Sequence, residues 1–188
     1  EVIIATSRQE DKLTLQDVHP SLTNSLNLPL TRMDVETIVS EADFAFSCLP
    51  HAASANTVRV LMSGGIKGVD FSADYRLNDA NIYEKWYGVE HPDGDRLGRV
   101  PYGLAELYRD EIRQANLVAN PGCYPTSAIL ALAPLLREKL ISSNDIIVNS
   151  VSGVSGAGRN TNPAFQYCEA TENVKAYGVG THRHAPEI

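Results

Sequence analysis

The sequence has few of the features that stabilise small extracellular proteins. Its 188 residues contain three cysteines, Cys48, Cys123 and Cys168, which are widely spaced and form no Cys-x-x-Cys pair. An odd number of isolated cysteines argues against a disulfide framework and against a zinc site. We therefore expect a reducing, cytoplasmic location.

Long apolar runs and clustered positive charge are also missing. No run of about 18 apolar residues is present, so the sequence predicts no membrane span, and no signal peptide is visible. The net charge is −7 and there is no basic stripe, which argues against nucleic-acid binding. Single arginines stand beside Gly, Ser and His instead, and this pattern favours a pocket for a small anion.

The remaining pattern is that of a folded α/β protein. Apolar strand-like segments alternate with helical periodicity, which predicts βαβ units and a mostly parallel sheet. The predicted strands are residues 2–5, 43–49, 66–71, 117–119 and 145–150, and the predicted helices are 34–42, 52–63 and 125–139, the last bent at Pro134. Residues 78–110 are expected to be less regular.

We predict an incomplete Rossmann-type NADP-binding domain over residues 1–122, followed by part of an α+β catalytic domain over residues 123–188. The chain opens directly into a strand without Met and stops just after a dense polar motif. We therefore expect a piece of a longer protein that lacks the first strand, its glycine-rich loop and the remainder of the second domain.

Cys123 has a setting that suits a nucleophile. It lies between a Pro-Gly turn and a helix predicted to start at Pro125, where free N–H groups and the helix dipole favour a thiolate. The alternative is a small buried apolar residue, which is what we expect of Cys48 and Cys168. For Cys123 we predict nucleophilic catalysis.

His182 and His184 flank Arg183 near the end of the sequence. If this segment is extended, both imidazoles point to one side. One could then be a general base for the thiol and the other could bind substrate. The alternative is a pair of exposed polar residues, and two histidines alone do not specify a metal, so no metal site is predicted.

Two polar loops are candidates for anion binding. Residues 152–159 hold three glycines and two serines, whose backbone and hydroxyl donors suit an anion, although such clusters are often plain turns. Ser7 and Arg8 follow the first predicted strand, where NAD-binding folds usually carry an acidic residue. Arg8 there would accommodate the 2′-phosphate of NADP; the alternative is an ordinary polar loop.

Residues 118–127, Val-Ala-Asn-Pro-Gly-Cys-Tyr-Pro-Thr-Ser, resemble the active-site signature of the N-acetyl-γ-glutamyl-phosphate reductases, arginine-pathway members of the semialdehyde dehydrogenase superfamily. Leu-Pro-His at 49–51, Asp-Tyr-Arg at 74–76, the 152–159 loop and His-Arg-His-x-Pro-Glu-Ile at 182–188 recur there in the same order. Two positions depart from the pattern: Ser127 replaces Gly or Ala, and Ala52 replaces Gly.

The resemblance implies reduction of N-acetyl-γ-glutamyl phosphate by NADPH, through a thioester on Cys123 with His184 as the acid–base partner. The implied substrate-binding residues are His182, Arg159, Ser152 and Asn120. The implied cofactor-binding residues are Ser7, Arg8, Pro50, Gly156, Ala157 and Gly158. Arg76 and Glu187 are implied to pair as structural support, for which a simple surface ion pair is the alternative.

Three other functions remain open at this point. A paralogous semialdehyde dehydrogenase or the aminoadipyl-phosphate reductase of lysine synthesis would share the Cys–His chemistry. A regulatory module that senses NADP(H) without turnover is the non-enzymatic alternative. The expected partners are a small acyl phosphate, inorganic phosphate and further copies of the full-length chain, with neither nucleic acid nor membrane.

Overall fold

The structure, a computed structural model, describes residues 1–7, 13–158 and 160–188. The chain divides into two compact units, Glu1–Asn120 and Pro121–Ile188. Arg8 and Arg159, both expected to bind ligands, lie outside the described residues.

The first unit is an α/β unit with parallel strand pairs, as predicted. Its strands are β1 (Ala5–Thr6), β2 (Leu30–Thr31), β3 (Phe44–Ser47), β4 (Lys67–Asp70) and β5 (Leu117–Ala119). Its helices are α1 (Leu15–Val18), α2 (Val35–Glu41), α3 (Ser54–Ser63), α4 (Ala80–Tyr87) and α5 (Ala105–Gln114), with 3₁₀ turns at Pro20–Leu22 and Gly94–Arg96.

The strands form two parallel sheets. β1 pairs with β2, and β4 lies between β3 and β5. Within the described part of the chain no ladder joins β1 to β3.

Helical spacing of apolar residues explains how α2 and α3 join the core. Asp34 caps α2 by accepting the Glu36 N–H at 3.1 Å, and α2 then presents Val35, Ile38 and Val39 to Leu61 of α3. Burial of Ile38 contributes about 1.5–3 kcal/mol, and the half-buried Val35 and Val39 contribute less. The main core cluster comprises Ala55, Val58, Tyr75, Leu97, Val100, Leu117 and Ala119.

Residues 78–110 are expected to be less regular, but they contain α4 and the start of α5. Asp79 caps α4 by accepting the Asn81 N–H at 2.7 Å, and Gly88 ends the helix with φ +74°. An acidic N-cap and a left-handed glycine are the usual helix boundaries, and both are visible in the sequence. The first strand is also shorter than predicted, since it begins at Ala5.

The strand β3 is exposed on one face, although the mostly apolar residues 43–49 predict a buried strand. Ser47 is buried, but Phe46 is 65% exposed and its ring lies 5.1 Å from Phe44 and 6.1 Å from Phe71. Alternate residues of a strand point to opposite faces, so one face of β3 packs on the core while the phenylalanines cluster on the other.

The second unit is built around one long helix. Its helices are α6 (Cys123–Arg137) and α7 (Tyr167–Ala170), with 3₁₀ turns at Val154–Ala157 and Pro163–Phe165. The helix α6 begins two residues earlier than predicted and continues through Pro134. No helix of the described residues is both long and apolar enough to cross a membrane.

The predicted strand at residues 145–150 does not form. Ile147 is 85% exposed, and the segment has no regular structure. A strand needs a neighbour for its N–H and C=O groups. The described residues of the second unit contain no strand that could pair with it, so high β-propensity is not sufficient here.

Candidate active site

Cys123 is the first residue of α6, and Gly122 is its N-cap. The first helical bond runs from the Thr126 N–H to the Gly122 carbonyl at 3.0 Å, and the Thr126 hydroxyl donates to the same carbonyl at 2.8 Å. The amides of Cys123 and Tyr124 therefore precede the hydrogen-bond ladder, at the positive end of the helix. The thiol is exposed and lies within the first turn, rather than ahead of a helix starting at Pro125.

The carboxylate of Glu187 is bound at this same helix end. Its Oε1 accepts a hydrogen bond from the buried Gly122 N–H at 2.7 Å. A carboxylate at a helix N-terminus satisfies an amide that lacks a helical partner and complements the dipole. Glu187 thereby holds in place the backbone of Gly122, the residue immediately before Cys123.

Two tyrosines and two histidines form a ring cluster beside this helix end. The ring centroids of His182 and His184 are 4.9 Å apart, and Tyr124 lies 5.3 Å from the first and 5.9 Å from the second. The Tyr177 hydroxyl donates to the Tyr124 hydroxyl at 2.7 Å. The two imidazoles are adjacent, but the segment is a series of turns instead of an extended strand, with the Ala185 N–H donating to the His182 carbonyl at 2.9 Å.

The backbone sets the tautomer of His182. The His184 N–H donates to His182 Nδ1 at 3.1 Å, so Nδ1 carries no proton in this arrangement. Neutral His182 then holds its proton on Nε2 and is a hydrogen-bond donor there. This geometry suits His182 for donating to an oxygen of a bound molecule, while the half-buried His184 lies beside it.

Tyr124, Tyr177 and Gly178 belong to this cluster but are not predicted by the sequence patterns above. Partial burial, the hydrogen bond to Tyr124 and nearby negative charge on Tyr124 and Cys123 raise the pKa of Tyr177 to about 12. Gly178 has φ +59°, and a Cβ there would lie 3.2 Å from His182. The signals in the sequence were the position of Tyr124 directly after Cys123 and a Tyr-Gly pair shortly before the histidines.

The Gly/Ser loop forms a tight exposed turn. The Gly156 N–H donates to the Gly153 carbonyl at 3.0 Å, and the Gly158 N–H donates to the Ser155 carbonyl at 3.0 Å. A Cβ at Gly156 would lie 2.7 Å from the Ser152 hydroxyl, so a larger residue there would require the Ser152 side chain to move. Ala157 ends the 3₁₀ turn.

The remaining candidates lie in the first unit. Ser7 lies one residue past β1, and its N–H donates to the backbone carbonyl of Thr31 at 2.8 Å. The exposed Pro50 follows β3. Asn120 follows β5, and its N–H donates to the backbone carbonyl of Asp70 at 2.9 Å. Arg76 binds the backbone of the same residue, since its Nε donates to the Asn120 carbonyl at 2.7 Å. Its Nη2 also donates to the Phe71 carbonyl at 2.9 Å.

The expectation that Cys48 and Cys168 are buried is wrong, because all three cysteines are exposed. Cys48 lies just past the end of β3, and Cys168 lies in the short exposed helix α7. Burial and the nearby charge of Asp70 still raise the pKa of Cys48, because part of its side chain is covered. Exposure alone therefore does not distinguish Cys123, whereas its place at the start of α6 does.

Known proteins resemble the chain over its whole length. It is 52% identical to the N-acetyl-gamma-glutamyl-phosphate reductase of Rhodopirellula baltica over 188 residues. It is 46% identical to the protein of that name from Alkaliphilus metalliredigens and 48% identical to that from Dehalococcoides mccartyi. These alignments cover all of this chain but only 53–54% of each relative, so the chain spans about half their length.

A solved structure of aspartate semialdehyde dehydrogenase II from Vibrio cholerae aligns with a TM-score of 0.47 and 18% identity, over 72% of this chain and 34% of that chain. Residues 1–115 match the family described as semialdehyde dehydrogenase, NAD binding domain. Residues 123–188 match the family described as semialdehyde dehydrogenase, dimerisation domain. The chain belongs to the semialdehyde dehydrogenase family.

Proposed function

We propose that the full-length protein reduces N-acetyl-γ-glutamyl phosphate to N-acetylglutamate semialdehyde in arginine biosynthesis, with Cys123 as nucleophile. The observation that supports this most directly is the position of Cys123 in the first turn of α6, next to the cluster of Tyr124, His182 and His184. The names of the relatives support the substrate. The match to a dimerisation domain supports a homo-oligomer.

In the proposed first half-reaction the sulfur of Cys123 attacks the acyl carbon of the substrate. The carbon–oxygen bond to the phosphoryl group breaks and phosphate leaves, giving a thioester. His184 takes the thiol proton and passes it to the departing phosphate. His182, through its Nε2 proton, donates to the carbonyl oxygen as that oxygen gains negative charge.

In the second half-reaction the thioester carbon accepts a hydride, and the carbon–sulfur bond then breaks to release the aldehyde and free Cys123. A nicotinamide cofactor, when bound, would supply the hydride. The first unit suits such a cofactor because the turns after β1 and β3 lie at the carboxyl ends of parallel strands, where α/β sheets bind nucleotides. Residues 156–158 and Pro50 are proposed to contact it, and Asn120, Ser152 and Arg159 to bind substrate.

We propose NADP(H) as that cofactor instead of NAD(H). Ser7 and Arg8 follow β1 where NAD-specific folds usually carry an acidic residue. Replacement of Arg8 by Ala in the full-length enzyme is expected to raise KM for NADPH far more than KM for NADH. An unchanged ratio of the two KM values would contradict this preference.

The test of the reaction is mass spectrometry of the full-length enzyme after mixing with acyl phosphate in the absence of NADPH. We expect one acyl adduct, located on Cys123, and no adduct in the Cys123→Ser variant. The Cys168→Ser variant is the matched control, because Cys168 is also an exposed thiol and its loss should change nothing. An adduct on Cys48 or Cys168, or full turnover by Cys123→Ser, would refute the mechanism.

A further inference from the structure

Two carboxylates are completely buried at the carboxyl end of β4, and the proposed mechanism uses neither. Asp70 is the last residue of β4, and Asp74 lies in the turn that follows; both are 0% exposed. A buried carboxylate persists only where hydrogen bonds replace its hydration. The hydrogen-bond donors to each carboxylate therefore show which part of the structure that carboxylate holds in place.

Asp74 binds two backbone groups at a different place in the chain, one in the turn between β3 and α3 and one in the first turn of α3. Its Oδ1 accepts the Ala52 N–H at 2.8 Å, and its Oδ2 accepts the Ala55 N–H at 2.9 Å. The N-cap of α3 is Ala53, which has no side-chain oxygen. Asp74, which is distant in sequence, thus accepts the helix N-terminal N–H that an N-cap side chain would normally accept.

The turn that Asp74 binds has a conformation that must be held. Ala52 has φ +63°, in the left-handed region, which is unfavourable for a residue with a Cβ. A hydrogen bond to the amide of this residue opposes relaxation of the turn. The exposed Pro50 and His51 lie immediately before it and depend on its shape.

Asp74 also supports the turn indirectly, through a hydrogen bond to Tyr83 and a series of ring contacts. Its Oδ1 accepts a hydrogen bond from the Tyr83 hydroxyl at 2.8 Å. The Tyr83 ring stacks on Tyr87 with centroids 4.7 Å apart, and the Tyr87 ring lies 5.9 Å from that of His51. One buried carboxylate therefore anchors both the backbone of the turn and the ring stack against which His51 lies.

We propose that Asp74 is a positioning residue that fixes the turn at residues 50–53 in the shape that receives the nicotinamide cofactor. The turn follows β3 at the carboxyl end of a parallel sheet, where α/β folds bind nucleotides. The identity of the ligand as NADP(H) rests on the proposed function. The hydrogen bonds that hold the turn do not depend on it.

Asp70 provides a matched control. It is equally buried, and it accepts the Ser54 hydroxyl at 2.6 Å, the Ser72 hydroxyl at 2.6 Å and the Ser72 N–H at 3.1 Å. These bonds tie β4 to the first residue of α3 and to its own following turn, and none goes to an amide of residues 50–53. The Asp70→Asn variant therefore reports the general cost of disturbing a buried carboxylate here.

The experiment compares Asp74→Asn with Asp70→Asn in the full-length enzyme and measures the Kd for NADPH by fluorescence, without acyl phosphate. In Asp74→Asn an NH₂ group faces one of the donors that the carboxylate accepted, so we expect Kd to rise about 10-fold, in line with loss of a net hydrogen bond. In Asp70→Asn we expect less than about a 3-fold change. The rate at which iodoacetamide modifies Cys123 is expected to stay the same in both.

Equal rises of Kd in both variants would assign Asp74 a merely structural role, and an unchanged Kd in Asp74→Asn would overturn the proposal. If Asp74→Asn does not fold, Tyr83→Phe decides, because it removes one donor and keeps both amides. We then expect Kd to rise about 2-fold to 5-fold, and no change would overturn the proposal. NADPH binding by the wild type without any Cys123 adduct would refute the proposed reaction and leave the role of Asp74 intact, whereas no NADPH binding at all would overturn that role.

Discussion

The carboxylate of Glu187 accepts a hydrogen bond from the backbone N–H of Gly122, with Oε1 and N 2.7 Å apart. The bond joins the final polar motif of the sequence to the residue before Cys123. In Glu187→Ala the buried Gly122 amide loses its acceptor, so we expect the free energy of unfolding to fall by about 1–3 kcal/mol. Urea denaturation followed by circular dichroism measures this loss.

Glu138→Ala is the matched control for that measurement, since Glu138 is the C-cap of the same helix. An acidic side chain at a helix C-terminus opposes the dipole, so its removal is expected to be neutral or slightly stabilising. Similar losses in the two variants would show that the Gly122 bond contributes nothing specific.

The two histidines are expected to differ in their kinetic effect. His184→Asn should lower kcat about 10²–10⁴-fold, the usual loss when a general acid–base group is removed. His182→Asn should act more on KM, because the structure fits His182 as a hydrogen-bond donor to substrate. Steady-state kinetics on the full-length enzyme tests both, and the reverse assignment of effects would exchange the two roles.

Ala52→Gly is expected to stabilise the protein. The variant relieves about 1–2 kcal/mol of left-handed strain at φ +63°, and the added freedom of Gly in the unfolded chain offsets about 0.5–1 kcal/mol of that. A higher urea midpoint is the expected result. Asn24→Gly at φ +66° is the control, because asparagine tolerates this region and little gain is expected there.

Ionisation of Tyr177 should weaken the fold at high pH. Its pKa is raised to about 12, first by burial and then by the Tyr124 hydrogen bond and the neighbouring charges. In the unfolded chain tyrosine ionises near pH 10, so between about pH 10 and 12 only the unfolded state gains the stabilisation of ionisation. The contribution is fully present below pH 10 and is lost as the pH rises through that window.

The measurement for this window is the urea midpoint of wild type and Tyr177→Phe across pH 9–12. The difference between them should shrink as the pH rises. Tyr167→Phe, which removes a highly exposed tyrosine, should run parallel to the wild type. A constant gap between the Tyr177→Phe and wild-type curves would contradict the role of Tyr177.

Local sequence patterns were sufficient to predict several helices and the parallel pairing of the strands. Val35, Ile38 and Val39 at helical spacing predict α2, and Gly64 ends α3 where the pattern indicates. The position of Cys123 at a helix start was also predictable, because a Pro-Gly turn precedes it. The parallel pairing followed from the alternation of strands and helices.

Contacts between distant segments were not predictable in the same way. The bonds from Asp74 to Ala52 and Ala55 join separate elements, and no local pattern marks them. The failure at residues 145–150 has the same cause, because strand formation depends on a partner and not only on propensity. The cluster of Tyr124 and Tyr177 likewise depends on turns that bring residues far apart in sequence together.

The parallel pairing of the first unit has a consequence for how it folds. In its described residues each ladder joins segments far apart in the sequence: Ala5 lies opposite Leu30, Phe44 opposite Lys67 and Gly68 opposite Leu117. A hairpin cannot nucleate such a sheet. Each pairing first requires closure of a long loop, and the entropy cost of that closure is offset only once the strands are in contact. The strand β5 closes the longest of these loops. We therefore expect docking of β5 to be the slowest of the three pairings, and the chain in which β5 has not yet docked to be the species most prone to aggregation.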